Sequence, residues 1–249
     1  MQKILKKSWL AISALIVIIL IGYVYFFRTE NNNLTENEEQ KIISCTRTTR
    51  LDNKPDYDRV LSLIEQRLSE PRVAEFKYFS PKLVNCIGII EENISDKAVE
   101  GYFSFDDKNI RDNYYPITVD NSYTSADYIT TALLLSHEIT HVQQYIDVLN
   151  GKNNLSCVDS EINAFLSELD LYANLNTEEN SSAYYRIQND ESLHPQLQML
   201  DTMMTINRDA HFVSKKCEFL DNECTKTNLA NELRKMITND EYYKKECNL

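Results

Sequence analysis

The stretch LLLSHEITHVQQ (133–144) sets two of the chain's four histidines four residues apart, with a glutamate directly after the first. It lies within SADYITTALLLSHEITHVQQYIDVL (125–149), a run free of proline and glycine. Thr124 or Ser125 can cap this run, Asp127 falls in its first turn, and Asn150 and Gly151 close it, which predicts one long helix. On a helix, residues four apart stand one above the other, so His137 and His141 turn their rings to one side and can share a metal ion. Glu138 is rotated by about 100° from His137. Its carboxylate therefore belongs beside the shared ion, within reach of a water bound there. With so few histidines, the pattern HExxH arises by chance in roughly 0.5% of chains of this composition, which favours a working motif over an accident of packing.

A catalytic zinc site needs a third protein ligand and keeps one position open. After the loop KNNLS, the segment DSEINAFLSELDLYANL (159–175) predicts a second helix, with Asp159 as N-cap and Ile162, Phe165, Leu166 and Leu169 on its buried side. Glu161 lies near its start. A helix, a short loop and an antiparallel helix can bring that carboxylate to the histidine face.

HEITH followed by Glu161 within SEINA resembles the gluzincin metallopeptidases, which carry HExxH on one helix and a glutamate ligand on the next, often in an ExxA context. The resemblance covers about residues 114–172. It implies a zincin-like domain, Zn2+ held by His137, His141 and Glu161, Glu138 as the catalytic acid and base, Ala164 as the small residue after the ligand, and a peptide or protein as substrate. Many of these enzymes hold the first histidine with an aspartate four residues after the third ligand; here that position is Phe165. Glu168, a turn further along the same face, or a backbone carbonyl is left for that role. His194, His211, Tyr172 and Tyr184 have the chemistry to stabilise an oxyanion.

Upstream, PDYDRVLSLIEQRLSE (55–70) places Pro55 in a first turn and spaces Val60, Leu61, Ile64 and Leu68 along one helical face. LVNCIGIIEEN (83–93), AVEGYFSFD (98–106) and YYPITVD (114–120) are rich in β-branched and aromatic residues and predict a small sheet. Pro116 cannot donate to a ladder, which suits 114–120 to a sheet edge, and the resemblance makes that edge the one along which an extended substrate pairs. Downstream, SAYYRI, HPQLQMLDTMMTI, AHFVSKKCEFL, TNLANELRKMI and EYYKKEC continue a helical pattern. The expected fold class is α+β, mostly helical, with a small β-sheet and an active-site helix.

The N-terminus is different in kind. Lys3, Lys6 and Lys7 precede the uncharged WLAISALIVIILIGYVYFF (9–27), which as a helix rises about 28 Å, close to a hydrocarbon core of about 30 Å. It ends in aromatic rather than small residues, so it reads as an uncleaved signal anchor. The positive-inside rule puts 1–8 in the cytoplasm. Residues 28–41 read as a flexible polar stalk and 42–249 as an extracytoplasmic domain. Without those three lysines the formal charge of −12 becomes −15, which excludes nucleic acid as the main partner. All six cysteines follow the span and none forms a CxxC pair, so up to three disulfides are expected, in any of 15 pairings. The functional expectation is a membrane-anchored zinc metallopeptidase. The alternative is a catalytically inactive zincin-like surface module that binds a partner.

Overall fold

The computed structural model describes residues 45, 47–69, 78–94, 100–104, 114–121, 123, 128–152, 155–189, 201–202 and 222–249. In chain order these form α1 (Pro55–Ser69), a 3-10 helix (Pro81–Cys86), β1 (Ile87–Glu92), β2 (Gly101–Phe103), β3 (Tyr115–Asp120), α2 (Tyr128–Leu149), α3 (Cys157–Asn174), α4 (Thr177–Asn189), α5 (Asn222–Asn239) and α6 (Glu241–Glu246). The protein is thus mostly helical with one small sheet. Among the described residues no helix is long and apolar enough to cross a membrane. The expected span 9–27 and stalk 28–41 lie outside the described residues, as do His194, His211 and most of the segments between α4 and α5.

α1 begins with Pro55, where a missing N–H costs nothing, and carries Asp56 and Asp58 in its first turn. It buries Val60, Leu61, Ile64 and Leu68, and packs on α2, the 3-10 helix and α3. Near its end, the Arg67 guanidinium grips Glu179 of α4 with two bonds of 2.9 and 2.7 Å. Glu179 also closes a capping box, exchanging bonds of 2.9 Å with Asn176.

The strand expected over 83–93 is shorter than its composition suggests. Pro81 fixes φ for a turn, Leu83 donates its N–H to the Ser80 carbonyl at 2.8 Å, and 81–86 wind into a 3-10 helix before β1 starts at Ile87.

The sheet order is β1-β3-β2, so β3 is the central strand and not the edge that Pro116 suggested. It pairs parallel with β1 and antiparallel with β2. The proline is tolerated because β2 is only three residues long: its last partner on β3 is Ile117, so the ladder on that side ends before Pro116. All six residues of β3 are buried. The expectation that substrate pairs along 114–120 does not hold over 117–119, where both sides of that strand are paired.

α2 runs through the middle of the fold and packs on α1, α3 and the sheet. Residues 129–142 are buried without interruption. Gly151, at φ +71°, ends the helix in the left-handed region where only glycine sits without strain. α3 starts one turn earlier than expected: Ser156, not Asp159, is its N-cap, accepting from the Asp159 N–H and donating to the Asp159 carboxylate. Asp159 therefore sits in the first turn, where its charge also suits the helix dipole. Two disulfides join Cys45 to Cys86 and Cys157 to Cys247. Cys217 and the side chain of Cys224 lie outside the described residues.

Candidate metal centre

Two helices bring the expected ligands together. A buried hydroxyl chain between α2 and α3 sets their relative height: Thr140 donates to Ser167 at 2.7 Å, and Ser167 reaches the Ser136 carbonyl across the interface at 3.0 Å. Glu161 then faces both imidazoles. Its Oε2 lies 3.4 Å from His137 Nε2 and its Oε1 lies 3.6 Å from His141 Nε2. Each ring thus faces a different oxygen of one carboxylate, and one ligand atom from each of the three residues lies within 4.8 Å of the others. His137, His141 and Glu161 can hold a metal ion.

The other ring nitrogens are already engaged, which fixes both rings. His137 Nδ1 bonds the Glu168 carboxylate at 2.7 Å, and Phe165 packs edge-on against the same ring with centroids 4.8 Å apart. Phe165 stands where the resemblance raised the expectation of an aspartate, and the carboxylate on the ring comes from one turn further along α3. His141 Nδ1 faces Gln144 Oε1 at 2.9 Å and Ser160 Oγ at 3.3 Å. Gln144 in turn donates to the Ser160 carbonyl at 3.0 Å. The second histidine is thereby tied to the residue directly before Glu161. Gln144 and Ser160 were not singled out in the sequence, because a glutamine on a helix and a serine in a first turn carry no pattern until the two helices meet.

Glu138 stands outside the ligand set. Its Oε2 accepts the backbone N–H of Phe103 at 2.9 Å. The contact follows from how β2 lies on α2. A Cβ on Gly101 would sit 3.0 Å from the Thr118 carbonyl of β3, tighter than ordinary packing, and at ordinary contact distance, 3.5 Å, from the Leu134 side chain of α2, so Gly101 lies over Leu134. Two strand residues and one helical turn both advance about 6 Å, which carries Phe103 to Glu138 as Gly101 lies over Leu134. Because Asp120 donates to the Glu100 carbonyl at 2.8 Å, pairing alternates so that Gly101 and Phe103 turn their main-chain groups away from β3. The outer edge of β2 therefore faces Glu138.

Burial would lower the His137 pKa, but hydrogen bonds to Glu161 and Glu168 outweigh it and raise it to about 10. Burial pushes Glu168 up to about 7 despite that bond. Glu161 is also buried, yet the His137 hydrogen bond and the nearby His141 hold it below the ordinary carboxylate range. The metal-free site thus keeps a proton on His137 Nε2, facing Glu161. A metal ion must displace it, so apparent metal affinity falls as the pH is lowered, by about tenfold per unit for one proton. Calorimetric titration with zinc at pH 8, in buffers of different ionisation enthalpy, should report about one proton released per ion from this group.

The Glu168 contact gives a second expectation. Glu168→Ala removes the acceptor that holds the His137 ring and should weaken metal affinity by about 10- to 100-fold. Glu168→Gln keeps a carbonyl acceptor and should lose less. Competition with a chromogenic chelator reads both.

Tyr172 and Tyr184, expected as candidates for oxyanion stabilisation, are turned elsewhere. Tyr172 lies three turns along α3 from Glu161 and donates to Asn180 at 3.1 Å, while Tyr184 is half-exposed on α4. Comparison with family models, with curated proteins and with solved structures finds no match to this chain.

Proposed function

We propose that this protein is a zinc-dependent metallopeptidase of gluzincin type, carried on a membrane by an N-terminal helix at 9–27 with its catalytic domain outside the cytoplasm. The observation that supports it most is the convergence of two imidazole Nε2 atoms and one carboxylate from adjacent helices, with a further carboxylate, Glu138, fixed beside them. Two nitrogens and one oxygen form a donor set that suits zinc. The anchor rests on the length and apolarity of 9–27 and on the lysines before it.

Zinc bound there supplies an acidified water and a Lewis acid for a peptide carbonyl. The chain's own groups do the rest. Glu138, held by the Phe103 N–H, takes the proton of the attacking water and returns it to the leaving amine. Glu168 and Gln144 keep the two imidazoles in register.

Incubating the zinc-loaded full chain with a mixed peptide library, with and without a chelator, tests the reading by mass spectrometry. Chelator-sensitive cleavage that returns on adding zinc supports it. Zinc retained without any cleavage favours the inactive surface module instead.

A further inference from the structure

The helix α6 reaches the metal centre from a distant part of the chain. Asp240 starts it, accepting the N–H groups of Tyr242 and Tyr243 at 2.8 and 3.2 Å. Cys247, just past its end, is bonded to Cys157, which stands one turn before Glu161 on α3. Between these two fixed ends, the Tyr243 ring packs edge-on against Phe165 with centroids 6.0 Å apart, and Phe165 packs on His137. The Tyr242 ring packs edge-on against Tyr243 at 5.1 Å. Two adjacent phenols are thus pinned against the helix that carries Glu161.

Among the described residues neither hydroxyl makes a hydrogen bond, and neither belongs to the fully buried unpaired polar atoms, so both reach solvent. Burial raises both phenol pKa values first. For Tyr243 the carboxylates of Glu161 and Glu168 add to it, and for Tyr242 those of Glu246, Glu161 and Glu138. Both rings therefore lie within the field of carboxylates borne by α2 and α3, and both keep their protons at neutral pH. A protonated phenol whose hydroxyl is open to solvent in such a place can donate to a ligand that displaces the water.

We propose that Tyr242 and Tyr243 form the hydrogen-bond-donating wall of the metal centre and bind the anionic oxygen of a tetrahedral species held there. This rests on the metal centre of the peptidase reading, and gives that reaction the oxyanion donors that Tyr172 and Tyr184 do not supply. The ligand class is a tetrahedral oxyanion: the adduct of water and a peptide carbonyl, or a phosphonate that imitates it.

The test uses the zinc-loaded full chain and its Tyr242→Phe, Tyr243→Phe and double variants, all of which keep the ring packing. Each is titrated with methylphosphonate, which needs donors to its oxygens, and with imidazole, which needs only the metal. The double variant should keep its zinc and its imidazole affinity and lose about tenfold or more in phosphonate affinity, in line with bonds to a charged acceptor. If peptides are cleaved, kcat should fall in the same variant with KM little changed. Equal phosphonate affinity in the parent and the double variant overturns the proposal. So does a parallel loss of imidazole, which marks a structural role, and so does a zinc-loaded parent that binds no phosphonate. A phosphonate effect in a protein that cleaves no peptide sinks the peptidase reading and leaves the donor wall standing.

Discussion

Replacing His137 and His141 together with alanine yields a protein that holds less than about a tenth of the zinc of the parent chain after dialysis against a weak chelator. Two of the three donors go, and a lone carboxylate, Glu161, cannot compete with water for the ion. The variant also tests how far the site supports the fold. His137 is paired with Glu168 in a place where both side chains are almost fully buried. Its removal leaves a buried carboxyl without its partner, at a cost of about 3 kcal/mol. A denaturant titration of the metal-free parent beside the variant separates that loss from the loss of metal. Equal zinc in the two proteins would overturn the centre altogether.

The second large effect belongs to Glu138→Gln. On the proposed peptidase reading, peptide cleavage should fall by about a thousandfold, within the range for loss of a general base, while zinc content stays that of the parent. The two outcomes separate because Glu138 is not a member of the ligand set. Glutamine has nearly the same shape and keeps a carbonyl oxygen for the Phe103 N–H, so the local hydrogen bond survives. What disappears is the ability to take a proton from water. Cleavage by this variant at the parental rate would remove Glu138 from the mechanism, whatever the metal content.

Sequence periodicity was enough to find α1, α2 and α3 and to bring Glu161 to the two histidines, because these steps need only helical spacing and a short reversing loop. It was less reliable where one residue has two physical uses. Pro116 pointed to a sheet edge, yet a three-residue neighbour gives a central strand the same freedom from donation. Asp159 has the right chemistry for an N-cap, but Ser156 holds that position and uses Asp159 as its partner. The groups that orient the site were hidden for another reason. Phe103, Gln144, Ser160 and the tyrosines of α6 act through contacts between elements, and nothing in their local spacing marks them. Glu168 was visible only because a helical wheel places it on the face of Glu161.

The unbroken burial of residues 129–142 in α2 has a consequence for mutational tolerance. A helix lying on a surface accepts changes every third or fourth position, on the side it shows to water. This one has no such side over nearly four turns. Saturation mutagenesis should therefore reveal its two ends but no repeating pattern of permissive sites between them, and the metal-binding positions would be scarcely more intolerant than the apolar ones around them.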